Sequence, residues 1–190
     1  MNKYKSIKYN FIMNFIRVLM TIVFPMITFP YISRVLLPEN VGKINFASSF
    51  VRYFSLIASL GISTYAIREC AAIRDDKRAL SKSASEIYSI NVCTTLVAYI
   101  LLACSLIFMR RLDSYREIII LQALGIALTT LGADWINSAM EDFQYITIRY
   151  IFFQFVSLFL MFIFVKESSD YVKYVVISLV ATSGANLANV

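Results

Sequence analysis

The chain has 190 residues, of which 59% are hydrophobic and only 16% are charged, and its formal net charge is +6 at pH 7. Soluble domains are about 45–50% apolar, so this composition excludes a water-soluble core and predicts an integral membrane protein. The basic residues lie mostly between the apolar segments, as in polytopic proteins, and we expect no nucleic-acid partner. The sequence has no histidine, and its three cysteines lack ligand spacing. We therefore expect no metal site, no cofactor and no histidine-based catalysis.

Apolar segments of roughly 20–26 residues, the length that a ~30 Å hydrocarbon layer requires, follow one another along the chain. The predicted fold is an all-α, polytopic transmembrane bundle of six helices, forming a single unit over residues 1–190. Their expected bounds are 11–36, 44–67, 86–109, 117–139, 147–165 and 171–190. Lysines before the first segment and five basic residues in the second connection predict a cytoplasmic N-terminus, although three arginines of the third connection would then lie outside.

The first segment contains Pro25 and Pro30. Each proline removes a backbone donor, so we expect a broken helix whose freed carbonyls line a cavity or pack against protein. Before the prolines, one face of this segment is polar and carries Asn10, Asn14, Arg17 and Thr21. Two interpretations of Arg17 stay open: its side chain lines the cavity, or it extends to the headgroups near the cytoplasmic end.

A tight turn is predicted at residues 37–43, LPENVGK, with Pro38 at its start and Gly42 supplying a permissive backbone. The glycine–lysine pair here is followed by isoleucine, and no GxxxxGK[ST] motif occurs in the chain. The sequence therefore predicts no P-loop for a nucleotide. If the protein transports a substrate, the energy must come from a gradient or another subunit.

An arginine lies near the middle of the second segment, in the stretch 45–63. At ~100° per residue, it shares one helical face with polar residues: Asn45, Ser48, Ser49, Arg52, Ser59 and Ser63, with Ser55 at the edge. A guanidinium at the centre of a spanning helix costs roughly 3 kcal/mol even on the mildest insertion scale. This face must therefore look into a wet cavity or onto a partner, which predicts a helix lining a polar, cationic path through a membrane.

Asp134 is a candidate for ion coupling, because an intramembrane carboxylate indicates function by default. The neighbouring Trp135 is typical of the membrane interface, so a second interpretation is an interfacial acid that closes the fourth helix. In the same segment, Gly125, Thr129 and Gly132 form a row of small residues that favours close helix packing.

The second connection contains Asp75 and Asp76, which raises a membrane enzyme acting on polyprenyl lipids as an alternative. Such an enzyme needs paired acids and a third carboxylate to hold Mg²⁺ against a diphosphate. Here Lys77 and Arg78 follow, and there is no second acidic cluster. We therefore interpret the pair as part of a solvated loop, and we predict a membrane transporter, not an enzyme.

Three stretches together resemble the polysaccharide repeat-unit flippases (Wzx-type) of the MATE-like exporter superfamily. They are TFPYISRVLLPENVG at 28–42, GISTYAIRECAAIRDDK at 61–77 and DWINSAMEDFQYITIR at 134–149. The third is the most specific, being similar to the family pattern D-W-x-x-x-G-x-E-D-F-x-Y-I-T-x-R. Leu37 and Ala139 stand where the family usually has glycine, which alters a turn and a packing contact but not the chemistry.

The resemblance implies a bacterial plasma-membrane transporter of two six-helix bundles, which moves a polyprenyl-diphosphate-linked oligosaccharide between leaflets during O-antigen or capsule synthesis. Its implied partners are this lipid-linked substrate, the bilayer, and polysaccharide polymerase and chain-length proteins. This chain would then be an N-terminal half, truncated or interrupted. Alternatives are a related exporter of drugs or a peptidoglycan precursor, or an inactive membrane remnant.

A diphosphate crossing hydrocarbon needs a cationic track, and arginine offers planar, bidentate donors that stay charged. Arg52 is therefore the first candidate for binding the diphosphate and Arg17 the second. Asn14, Asn45 and Ser49 are weaker candidates for contacts with sugar hydroxyls.

Overall fold

The structure is a computed structural model that describes residues 6–187. Its elements follow one another as α1 (Ile7–Val35), α2 (Leu37–Ser59), α3 (Ile62–Ala72), α4 (Lys77–Phe108), α5 (Arg116–Gly132), α6 (Trp135–Ala139), α7 (Phe143–Phe164) and α8 (Tyr171–Leu187). Short 3-10 turns at Arg110–Tyr115 and Ser168–Asp170 precede α5 and α8. Within the described range there is no strand, and the predicted all-α class is confirmed.

Five stretches of the described chain are long and apolar enough to cross a membrane. They are α1, α2 together with α3, α4, the stretch Arg110–Gly132 that includes α5, and α7. The helix α8 has only 17 described residues, and the predicted end of this segment, 188–190, lies outside the described range. The chain is thus a multi-pass membrane protein built from apolar helices.

Five of the helices pack in a closed sequence: α1 against α2, α2 against α5, α5 against α8, α8 against α7, and α7 against α1. The helix α4 lies on α2 and α5, while α3 lies on α4 and α6. A large apolar cluster fills the bundle from Ile32 and Leu36 to Val165 and Val175. A smaller cluster, with Cys70, Ile87 and Trp135 among its members, lies between α3, α4 and α6.

The prediction of a broken first helix is wrong, because α1 is continuous from Ile7 to Val35 with Pro25 and Pro30 inside it. Both prolines are exposed, and Pro25 lines a cavity of about 160 Å³ between α1, α7 and α8. The helix persists through both prolines, since unwinding would leave more backbone groups without partners at membrane depth.

The predicted turn at 37–43 is also wrong, because α2 begins at Leu37 and includes Pro38 and Gly42. Proline fits the first turn of a helix, where its missing N–H is not needed. The connection between α1 and α2 is instead made by Leu36 and Leu37, and Leu37 has a left-handed φ of 65°. This is the position where the resembled family has glycine, the residue that adopts such a φ without strain.

The second and fourth apolar segments are each interrupted near one end. In the second, Leu60 and Gly61 take positive φ values of 37° and 73° and separate α2 from α3. In the fourth, Ala133 has a φ of 41° and ends α5, so Asp134 lies between two helices and not on one long helix as predicted. Both interruptions lie beside the cavity described below.

The predicted close packing along α5 is confirmed, and its partner is α8. A Cβ placed on Gly132 would lie 2.5 Å from Cβ of Asn186, and one on Gly125 would lie 3.3 Å from the Leu179 side chain. The backbones of α5 and α8 therefore approach closely, as small residues at a helix interface allow.

Candidate functional site

A cavity of about 290 Å³ lies where the two apolar clusters meet. Five of the helices, α2 to α6, contribute to its wall, and the wall is rich in polar side chains. The polar lining residues are Arg52, Ser55, Ser59, Ser63, Asn91, Thr129, Thr130, Asp134 and Trp135. A polar cavity of this size inside an apolar bundle is a candidate binding site.

The interruption between α2 and α3 is stabilised by side chains of α4. The carbonyl of Ala58, in the last turn of α2, accepts hydrogen bonds from Asn91 Nδ2 at 3.1 Å and from Thr94 Oγ1 at 2.7 Å. Carbonyls at a helix end have no intrahelical partner, and leaving one unpaired at membrane depth costs several kcal/mol. The α4 side chains therefore allow α2 to end here, and Ser63 at the start of α3 still reaches the cavity.

The wall between α4 and α5 is closed by hydroxyl groups. Thr95 Oγ1 and Thr130 Oγ1 are 2.8 Å apart in a buried hydrogen bond. The Tyr99 hydroxyl donates to the Ala123 carbonyl at 2.6 Å and accepts from the Ala127 N–H at 3.2 Å. This hydroxyl enters the hydrogen-bond ladder of α5, a local cause of helix bending.

Arg52 lies on the cavity wall and its side chain is exposed. Among the residues that the structure describes, its guanidinium has no hydrogen-bond or ion-pair partner. The residue lies ~22 Å along α2 from Leu37 and ~10 Å from the end of the helix at Ser59, taking 1.5 Å per residue. An unpaired cation at this depth is positioned to receive an anion.

Asp134 lines the same cavity, and its Oδ1 accepts a hydrogen bond from Nη2 of Arg149 on α7. The Arg149 side chain is only 5% exposed, and its guanidinium lies over the Tyr145 ring at 4.8 Å from the centroid. This arginine is absent from the sequence predictions. The signal available was the DWINSAMEDFQYITIR stretch itself, because the ion pair joins its first and last residues.

Several buried donors near the cavity have no partner among the residues described. They are the indole N–H of Trp135 and the Nε and Nη1 atoms of Arg149. Trp135 is 5% exposed and Arg149 is 6% exposed. Such groups are rare in native structures, and each costs about 1–3 kcal/mol unless a ligand, an ion or water satisfies it.

The other predicted residues do not join this cavity. Asn14 and Asn10 line a second cavity of about 400 Å³ between α1, α3 and α6, where the Oδ1 atoms of both lack a partner in the described structure. Arg17 is half-buried on α1. Asn45 and Ser49 are exposed on α2, and neither lines either cavity. The structure therefore brings Arg52 and Asp134 together and separates them from Asn14.

Charged groups outside the cavity form ordinary ion pairs. Arg74 Nη1 lies 2.7 Å from Glu141 Oε1, joining the α3–α4 connection to the segment after α6. Within the described range, no group of three or more cysteine or acidic residues is arranged to hold a metal ion. Among the described residues that line it, the cavity therefore offers one unpaired cation, one ion-paired carboxylate and several hydroxyl and amide groups.

Comparison with known proteins agrees with the motif resemblance. The sequence profile of the family described as "Polysaccharide biosynthesis protein" matches residues 7–188. A protein of Escherichia coli (strain K12) named "Putative O-antigen transporter" is 23% identical over 146 residues, which cover 77% of this chain and 35% of that protein. The chain thus spans about a third of the length of this curated relative. No solved structure matches the chain significantly. Because the family profile covers nearly all of the described helices, the chain belongs to the polysaccharide biosynthesis protein family.

Proposed function

We propose that this chain is the N-terminal part of a transporter that moves lipid-linked oligosaccharide repeat units across the bacterial plasma membrane for surface polysaccharide synthesis. The family membership and the name of the E. coli relative support a role connected with polysaccharide. The multi-pass helices support transport in preference to catalysis in solution. In this proposal the N-terminus is cytoplasmic, and polymerase and chain-length proteins act on the transported product.

The observation that carries the proposal is the unpaired guanidinium of Arg52 in a polar cavity inside an apolar bundle. A polyprenyl-diphosphate head is an anion that must leave water while its hydrocarbon tail stays in the lipid. Arginine binds phosphate oxygens through two parallel N–H donors and remains charged at any physiological pH. The hydroxyls of Ser55, Ser59 and Ser63 on the same wall supply further donors to the diphosphate or acceptors to its sugars.

The remaining predicted residues have subsidiary roles in this proposal. Asn14 acts with Asn10 in the second cavity, where unpartnered amide groups suit sugar hydroxyls. Arg17 supplies a second positive charge in addition to Arg52, and it lies in the N-terminal half of α1. Asn45 and Ser49 continue the polar face of α2 beyond Arg52. Asp134 is the candidate for ion coupling, because its carboxylate borders the cavity that Arg52 also lines, which we call the main cavity.

The test is Arg52→Ala in the protein that contains this chain, produced in its own host at native expression levels. We expect loss of surface polysaccharide, at least 100-fold by immunoblot, together with accumulation of the lipid-linked repeat unit on the inner leaflet. The matched control is Arg34→Ala, which removes an exposed arginine near the other end of the bundle. Undiminished polysaccharide in the Arg52 variant would contradict the role of this residue. Wild-type polysaccharide after deletion of the whole gene would contradict the function.

A further inference from the structure

One charged residue of the main cavity is ion-paired with a residue that does not line the cavity. Two ionisable residues of opposite sign lie on the cavity wall, Arg52 and Asp134. If these two paired with each other, the cavity would carry no excess charge and offer no attraction to an anion. The structure instead pairs Asp134 with Arg149 of α7, which does not line this cavity and lines a separate one beside Tyr145 and Phe152.

Arg149 is held in this position from two sides. Its Nη2 atom donates to Asp134 and its guanidinium lies over the Tyr145 ring. The side chain is 95% buried, yet its Nε and Nη1 atoms have no partner in the part of the chain that the structure describes. A buried arginine with unsatisfied donors contributes little to stability, because the cost of desolvating it offsets much of its attraction to the carboxylate.

We propose that Arg149 is a positioning residue that holds the Asp134 carboxylate away from Arg52, and so leaves the cavity with one excess positive charge. With all three groups present, the two arginines outnumber the carboxylate by one. Removing Arg149 alone leaves Arg52 facing an unpaired Asp134, and the excess disappears. Removing both Arg149 and Asp134 restores it. The usefulness of this charge rests on the proposed function, but the charge itself does not.

The test measures the electrostatic potential of the cavity directly. In a chain with Cys70→Ala, Cys93→Ser and Cys104→Ser, a single thiol is introduced by Ser55→Cys, one turn from Arg52 on the cavity wall. The purified chain in nanodiscs at low salt is labelled with a negatively charged and a positively charged methanethiosulfonate of similar size. The readout is the rate constant of the negatively charged reagent divided by that of the positively charged reagent. This ratio is normalised to the same ratio for a small free thiol. Screening is weak at low salt, so the charge of the cavity has its full effect on the ratio, and the comparison between variants removes the contribution of the charges that they share.

We expect a normalised ratio above one for the parent chain, and a fall of about tenfold for Arg149→Gln, since one charge within several ångströms changes opposite-charge reagents in opposite directions. The double variant Asp134→Asn/Arg149→Gln should return to within about threefold of the parent. Arg149→Lys, which keeps the charge, should do the same. The matched control Arg74→Gln removes another ion-paired arginine that does not line this cavity, and should leave the ratio unchanged.

Folding is checked by elution profile and helical circular dichroism for each variant. An unchanged ratio in folded Arg149→Gln would overturn the proposal, as would a fall of equal size in Arg149→Lys. If Arg149→Gln does not fold, the double variant is compared with Asp134→Asn alone: a lower ratio in the double variant shows that the Arg149 charge acts on the cavity and supports the proposal, and equal ratios overturn it. No lipid substrate is used, so a failure of this test is distinguishable from a failure of the proposed transport function.

Discussion

Two regions of the bundle differ in how far their polar groups are satisfied: the turn between α7 and α8, and the main cavity. At the turn, the Tyr31 hydroxyl donates to the Val165 carbonyl at 2.7 Å, and Asn40 Nδ2 donates to the Ser168 carbonyl at 2.7 Å. The Asp170 carboxylate accepts from two backbone N–H groups and pairs with Lys173. Each of these side chains therefore stabilises the end of the bundle.

In the main cavity the polar groups are incompletely satisfied within the described structure, as seen at Arg52 and at the Trp135 indole, and so is Arg149, the ion-pair partner of the lining residue Asp134. Unsatisfied groups reduce stability and persist where they serve function. The comparison indicates that the polar side chains of the turn stabilise the contacts between helices. The cavity instead contains hydrogen-bond donors without a partner in the described structure. The expected consequence is that substitutions at the turn lower stability, whereas substitutions on the cavity wall affect function. Four experiments test this division.

The largest effect on stability is expected at the close contact between α5 and α8, which belongs neither to the turn nor to the cavity wall and sets the scale for both. Gly132 lies between Thr130 and Asp134 and directly against α8, so Gly132→Ala places a Cβ 2.5 Å from Cβ of Asn186 and 2.9 Å from its Cα. We expect the free energy of unfolding to fall by about 2–3 kcal/mol through overpacking, measured by unfolding in mixed micelles. The matched control is Gly42→Ala, which meets no atom within 4 Å and should raise stability by about 0.5–1 kcal/mol. Equal effects at both glycines would show that the contact between α5 and α8 is loosely packed.

A smaller loss is expected at the turn for Tyr31→Phe. This change removes the hydroxyl and leaves the buried Val165 carbonyl without its donor, at a cost of about 1–2 kcal/mol. The control is Tyr53→Phe, since the Tyr53 ring is 69% exposed and its hydroxyl makes no hydrogen bond in the described structure. An unchanged free energy of unfolding for Tyr31→Phe would contradict the claim that the hydrogen bonds of the turn stabilise the bundle.

The sequence predicts the apolar helices but not the positions at which they are interrupted. The apolar length of the segments and the polar face of α2 follow from composition and periodicity, and both predict the multi-pass helices and the cavity-facing Arg52. Leu37, Leu60 and Ala133 adopt positive φ values without being glycine, so no local signal marks these positions. Asn91 and Thr94 satisfy the end of α2 from another helix, and this contact is invisible in a local pattern.

The partner of Asp134 does not follow from the residues around it for a related reason, although the motif that joins the two residues was a signal. A carboxylate beside a tryptophan fits an interfacial helix end as well as an internal site, and only the tertiary structure decides what it contacts. Arg149 lies in an apolar helix, which is the same feature that identified Arg52. The difference is that Arg52 has serines on its face, whereas the neighbours of Arg149 give no polar stripe.

The third experiment tests the turn through pH. The Asp170 carboxylate accepts a hydrogen bond from Lys173 and, with smaller effect, from the backbone N–H groups of Lys166 and Glu167. These bonds lower the pKa of Asp170 from 3.8 to about 2. A lowered folded-state pKa means that this stabilisation is fully present above about pH 4 and is lost as the pH falls towards 2. Stability measured across this range should fall less steeply in Asp170→Asn than in the parent. Asp113→Asn, an exposed carboxyl in the turn before α5, serves as the control; identical curves for the parent and Asp170→Asn would contradict the assignment.

The smallest effect is expected at the residue on which the proposed function depends. Because Arg52 makes no bond in the described structure, Arg52→Gln should change the free energy of unfolding by less than about 0.5 kcal/mol, as for substitutions at other unpaired exposed sites. Arg34→Gln should behave in the same way, since that side chain is also exposed. The two variants should then differ only in surface polysaccharide, which is lost at position 52 and retained at position 34. A loss of more than 1 kcal/mol in Arg52→Gln would mean that this guanidinium supports the fold, and the cavity would no longer contrast with the turn.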